Sequence, residues 1–144
     1  MKLRILNVVG ARPNFMKMAP LMLEYRKHPD RFDPVLVHTG QHYDDNMSKL
    51  FFDQLHLPKP DVYLGVGSGT HAEQTAKVMV EMEKLLIAQP ADVVVVVGDV
   101  NSTMAAAIVA AKLCIPVAHV EAGLRSGDRT MPEEVNRVVT DALS

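Results

Sequence analysis

Five consecutive valines, Val93–Val97, constrain this chain more than any other stretch of it. A strand with one face in water alternates apolar and polar residues. An unbroken β-branched run calls for burial on both faces, the habit of a parallel sheet covered by helices. Runs of similar character at Leu3–Val9, Val35–His38 and Val117–Val120 supply neighbouring strands, the last reading as a short buried one. Helical patterns separate them. Pro13 opens a segment reaching about Lys27, where its missing N–H costs nothing. Asp44–Leu55 reads as a second helix, and Thr70 with Glu73 forms a capping box ahead of Val78, Met82, Leu85 and Leu86 at helical spacing. Alanine-rich Ser102–Leu113 suits close approach to a sheet, and Pro132 opens a last helix on which Glu133 and Arg137 are spaced to pair. Strands alternating with helices predict an α/β fold, a Rossmann-like parallel sheet with helices on both faces. "HLPKPDVYLGVGSG" is the one long irregular stretch and reads as a surface loop.

At 144 residues the chain has the length of one domain, 1–144, with a real core. Lys+Arg 15 against Asp+Glu 17 leaves a net charge of -2, which excludes a basic footprint for nucleic acid or an anionic membrane. The single cysteine, Cys114, excludes an internal disulfide and argues against a Cys-rich zinc site; its apolar neighbours predict an inert buried thiol. "MKLRILNVVG" is too short to span a membrane and lacks a small-residue cleavage site, so it reads as the first strand of a cytoplasmic protein. The chain ends at "DALS" without the strand that a crossover helix is expected to hand over to, and its apolar content leaves room for association with a second copy.

Ligands of open parallel sheets sit at the carboxyl ends of the strands. The residues just past each strand are polar here: Arg12 and Lys17 after the first, Gln41, His42 and Asp44 after the second, Asp99, Asn101 and Ser102 after the valines, Glu121 and then Arg125 after the fourth. Arg12 precedes a helix N-terminus, where backbone N–H groups favour an anion, and Lys17 lies one turn on. Asp99 has the position of a helix cap as well as of a site acid. Glu121 leaves a buried strand, and desolvation there favours the protonated form and suits it to proton transfer. Glu133 lies in the first turn of its helix. His119 reads as a satisfied core histidine, and His28, His56 and His71 as surface or turn residues. No His/Asp set has metal-ligand spacing. "GARPNF" lacks the three spaced glycines of a dinucleotide fingerprint, and no Walker-type loop occurs.

"GARPNFMKMAP", "HTGQHYDDNM", "GDVNST", "HVEAGLRSGD" and "MPEEVNR" together resemble the ordered motifs of the non-hydrolysing UDP-N-acetylglucosamine 2-epimerase family, over residue 5 to Ser144. The resemblance implies one half of a GT-B-like enzyme of two Rossmann-like domains. It covers only the N-terminal one; the C-terminal domain, with most nucleotide contacts and a further histidine, has no counterpart in it. It implies an isomerase that interconverts UDP-GlcNAc and UDP-ManNAc by elimination and re-addition of UDP, with no metal or redox cofactor. Asp99, Glu121 and Glu133 would handle the C2 proton and sugar hydroxyls. Arg12 and Lys17 would meet the charged portion of the substrate, with Gln41, His42, Asn101 and Arg125 as further binding residues. The isolated chain would then bind UDP weakly and turn over little.

Two departures stand out: Asn14 where many members carry an acid, and Asp44 where some bacterial members bind a second, activating substrate. "HTGQHYDDNMS", "FFDQL" and "PKPDVYLGVGSGTHAEQT" are equally similar to relatives acting on UDP-diacetamido-uronic acids. A hydrolysing epimerase and a non-catalytic sugar-nucleotide or interaction module are the remaining alternatives.

Overall fold

The valine run lies where an unbroken apolar strand has to lie. Val93–Val97 forms β4, flanked on both sides in a five-stranded sheet of order β3-β2-β1-β4-β5. β1 is Leu3–Val9, β2 Phe32–His38, β3 Val62–Tyr63 and β5 Val117–Val120, and every pairing is parallel. The computed structural model describes residues 1–42 and 53–144. The expected helix Asp44–Leu55 lies outside the described residues except for its last turn, where 53–55 are helical.

Period-2 alternation divides the strands between two cores. Leu6, Val8, Val35, Val37, Val94 and Val96 face α2 (His71–Ala88) and α3 (Asn101–Lys112) through Val78, Met82, Leu86, Ala106 and Ala110. Ile5, Val9, Leu36, Val95 and Val97 face α1 (Arg12–Arg26) through Phe15, Met18 and Met22. The sheet is thus covered on both faces, as its apolar strands require. The capping box of α2 forms as expected: Thr70 Oγ1 accepts from the Glu73 N–H at 3.2 Å, and Glu73 Oε2 from the Thr70 N–H at 3.0 Å. No helix among the described residues is long and apolar enough to cross a membrane.

Four expectations need correction. The stretch read as surface loop contains β3, which pairs Val37 with Val62 and His38 with Tyr63, and it buries Leu57 and Val66. β5 is an edge strand and only half-buried, with Ala118 exposed, because β4 covers it on one side alone. Cys114 is exposed: α3 has already ended, and Cys114 takes a left-handed φ of 57° in the turn toward β5. On α4 (Pro132–Leu143) the buried partner of Arg137 is Glu134, one residue along, while Glu133 is exposed.

Candidate functional site

Strand order reverses at β1, so the carboxyl ends of β1 and β4 mark the point where chains leave the sheet in opposite directions and open a crevice. Its floor is tightly joined. A Cβ at Gly10 would lie 2.5 Å from Ser102 Oγ and 2.9 Å from Thr39 Oγ1, so only glycine lets the end of β1 approach the start of α3. Thr39 and Ser102 hydroxyls are 2.8 Å apart. Ser102 donates its hydroxyl to Gln41 Oε1 at 2.6 Å and its backbone N–H to the same oxygen at 2.9 Å. The N-cap of α3 is Val100, which has no side-chain acceptor, and the Gln41 amide supplies one from the loop after β2.

A buried amide chain continues from there. Gln74 Nε2 donates to the Gln41 and Gly67 carbonyls, Asn101 donates to Gln74 Oε1 at 3.0 Å and contacts His71 Nδ1 at 3.1 Å, and Asn136 donates to Asn101 Oδ1 and the Asp99 carbonyl. These bonds fix the N-termini of α2, α3 and α4 around a cleft of about 370 Å³. It is lined by Gln41 and His42, by Thr70 and His71, by Asp99 and Asn101, and by Pro132 and Glu133. Three helix N-termini at one cleft bring their positive dipole ends to it, a setting that favours an anion.

Asp99 is not a helix cap. Arg137 holds it, Nη2 at 2.6 Å and Nε at 2.9 Å, both on Oδ2. The same guanidinium reaches Glu134 Oε1 at 3.1 Å. Glu134 in turn accepts from the Ser126 and Gly127 N–H groups at 3.1 and 2.6 Å. The Ser126 N–H is the largest cause that pulls its carboxyl down to about 2, with Gly127 and Arg137 adding to it against the opposing effect of burial. Glu134 therefore anchors the loop before α4 and orients Arg137, while Glu133 faces the cleft.

Glu121 stands apart from that cleft lining. It takes a left-handed φ of 69°, and its carboxylate pairs with Lys17 of α1. The expected desolvation is incomplete, since β5 is an edge and the Glu121 side chain keeps 30% exposure. Lys17 is thereby turned to Glu121 rather than grouped with exposed Arg12 at the start of α1. Arg125 is held by Asp141 Oδ2 at 2.6 Å. His119 is the satisfied core histidine that the sequence predicts, bonded through both ring nitrogens.

Of the expected site residues, Asp99, Glu133, Gln41, His42 and Asn101 come together at one cleft, Glu121 and Lys17 form a pair beside it, and Arg12 and Arg125 lie on the surrounding loops and helix start. Gln74, Asn136 and Glu134 went unread in the sequence. The spacing of Glu134 to Arg137, three residues along one helix, is the signal that could have found the last. Among the described residues no group of three or more His, Cys, Asp or Glu side chains is placed to hold a metal ion.

The family described as UDP-N-acetylglucosamine 2-epimerase matches residues 24–144. A UDP-N-acetylglucosamine 2-epimerase of Methanocaldococcus jannaschii is 53% identical over 144 residues, covering 100% of this chain and 38% of that protein. A UDP-2,3-diacetamido-2,3-dideoxy-D-glucuronate 2-epimerase of Pseudomonas aeruginosa is 45% identical over 142 residues, covering 99% of this chain and 40% of that protein. The crystal structure of the M. jannaschii enzyme in complex with UDP-GlcNAc and UDP matches with a TM-score of 0.94 at 51% identity, over 99% of this chain and 39% of that one. The chain thus spans about 39% of the length of such relatives.

Proposed function

This chain belongs to the UDP-N-acetylglucosamine 2-epimerase family, and on that premise we propose that it is the N-terminal domain of an enzyme that inverts C2 of UDP-GlcNAc to give UDP-ManNAc. The observation that carries the reading is the cleft in which Asp99 and Glu133 meet three helix N-termini. Inversion at C2 requires a base to take the C2 proton as the C1–O bond to UDP breaks, leaving a glycal and free UDP. It then requires UDP to return to C1 as a proton is delivered to the other face of C2. Carboxylates at the cleft wall suit the proton steps. The helix N-termini and Arg12 suit the diphosphate whose charge develops on departure. Glu121, with Lys17 as its counter-ion, supplies a third acid at the adjacent strand end.

In this reading a second Rossmann-like domain supplies the rest of the nucleotide site across the cleft, the complete enzyme works in the cytoplasm, and a homodimer is its form. A UDP-diacetamido-uronate sugar is the second reading, supported by the 45% identical P. aeruginosa relative.

UDP-GlcNAc incubated in D₂O with this chain, and with the chain continued into a second domain, tests the proposal by proton NMR at C2. Deuterium at C2 with UDP-ManNAc appearing is expected from the continued form, and Glu133→Gln should abolish it. Free ManNAc would instead mark a hydrolysing enzyme. No exchange by either form overturns the substrate, and the diacetamido-uronate sugar is then tried in the same assay.

A further inference from the structure

His119 lies behind the cleft, yet it touches both strand ends that carry candidate acids. Its side chain is 1% exposed. Nε2 lies 2.7 Å from the carbonyl oxygen of Gly98, the residue before Asp99, and Nδ1 lies 2.5 Å from Asp141 Oδ1 on α4. A carbonyl only accepts, so Nε2 carries a hydrogen. A neutral ring has no second N–H, and its bare Nδ1 would then face the lone pairs of a carboxylate. A contact at 2.5 Å needs a proton between them.

That proton joins the ring to the Asp141 carboxyl. Burial pushes this carboxyl up, but the Gly123 N–H, Arg125 and His119 outweigh burial and hold it at about 2. The groups that face the ring are therefore Asp141 from α4, with Arg125 of the loop after β5 behind it, and the Gly98 carbonyl from the end of β4, beyond which lie Asp99 and its Arg137. Gly98 has a left-handed φ of 73°, so the peptide that His119 grips is the one where the chain turns out of the sheet toward Asp99.

Resting on the epimerase reading, we propose that His119 is a positioning residue: through its two ring nitrogens it ties the Gly98–Asp99 turn to Asp141 and so fixes Asp99 against Glu133 at the other end of the same helix. Asp141 extends the tie to the Glu121 side, because its second oxygen accepts from the Gly123 N–H at 2.8 Å and from Arg125 at 2.6 Å. One imidazole ring and one carboxylate thus join three segments that each carry a candidate acid.

Two substitutions separate the two bonds. Gln places an amide N–H near the Nε2 position and keeps the bond to Gly98. Asn places one near Nδ1 and keeps the bond to Asp141. In the isotopically labelled wild-type chain, ¹⁵N NMR is expected to show a hydrogen on His119 Nε2, donated to the Gly98 carbonyl. His119→Asn should shift the Gly98, Asp99 and Val100 amides and spare Gly123 and Arg125, with the reverse for His119→Gln. In the form that epimerises UDP-GlcNAc, His119→Asn should lower kcat at least about tenfold at unchanged KM, and His119→Gln should restore most of it.

A bare Nε2 in the wild-type ring, or undisturbed Asp99 amides in His119→Asn, overturns the proposal. So does a loss that falls in KM alone. If neither variant folds, the ¹⁵N measurement on the wild-type ring still decides. Absence of epimerisation by every form would sink the epimerase reading, while the NMR arms judge the tie on their own.

Discussion

Arg137 grips Asp99 through a single oxygen. Both guanidinium contacts fall on Oδ2, and Oδ1 takes no bond from the described residues. The guanidinium thus orients the carboxylate from one oxygen alone. Arg137→Lys keeps the charge but not the planar fork. On the proposed function, its expected effect in the form continued into a second domain is a fall of about tenfold in kcat for UDP-GlcNAc epimerisation. Asp99→Asn should cost about 10²–10⁴-fold in the same steady-state assay. Wild-type kcat in Arg137→Lys would rule out the orienting role.

Asn14 closes the start of α1. Its Oδ1 accepts from the Gly10 and Ala11 N–H groups at 3.0 and 3.1 Å, and its Nδ2 donates to the Val97 carbonyl at 3.3 Å. Asn14→Asp keeps the first function and turns an acceptor toward Val97. Urea unfolding at neutral pH should show a loss of about 1–3 kcal/mol. An unchanged midpoint would mean that the bond to Val97 contributes nothing.

Acid should unfold the chain partly through Glu134. Its folded value of about 2 lies below the ordinary 4.5, so its contribution is complete above 4.5 and is lost as the pH falls toward 2. Glu134→Gln should flatten the stability profile across that window and loosen the 126–127 loop. A mutant profile parallel to wild type between pH 4.5 and 2 would contradict the assignment.

Burial keeps His38 neutral, moving it from 6.5 down to about 4. Its Nδ1 accepts from the Gly40 N–H at 2.8 Å, which protonation would break. The unfolded chain takes a proton that the fold refuses, so this residue costs stability increasingly as the pH drops from 6.5 to 4. The ring proton shifts of His38 should titrate with a midpoint near 4. A midpoint above 6 would show that solvent reaches the ring.

Asn7 lies at 0% exposure in β1 with its amide nitrogen bonded and its Oδ1 unpartnered among the described residues. Asn7→Val removes that acceptor and adds a β-branched residue to a buried strand. It should stabilise the fold by about 1 kcal/mol in urea unfolding. Destabilisation would mean that Oδ1 has a partner in solution, such as a buried water.

The central strands were legible because nothing polar interrupts them: Val93–Val97 and Leu3–Val9 have the same bounds in sequence and structure. β3 was not, since two residues between prolines and glycines carry no period and gain their order only by pairing with β2. β5 had the composition of an inner strand and the position of an edge, and position is a property of the sheet, not of the run. At the site, residues just past strand ends were readable from topology alone, which is why Asp99, Asn101, Gln41 and His42 were named together. Partners were not readable. Glu133 and Glu134 are equivalent in sequence, and only the direction in which α4 meets the loop at Ser126 buries one and leaves the other facing the cleft. The placement of Lys17 depends on Glu121 across the sheet edge, a contact spanning 104 positions of chain.

The missing side chain at Gly10 carries a last consequence. With Ser102 and Thr39 already inside the volume that a single methyl would need, the end of β1, the start of α3 and the end of β2 meet at closer range than any side chain at that position allows. The base of the crevice is close-packed. On the proposed function, closing around a sugar nucleotide would fall to the walls, the N-terminal turns of α2 and α4, and the timing of product escape would be set there.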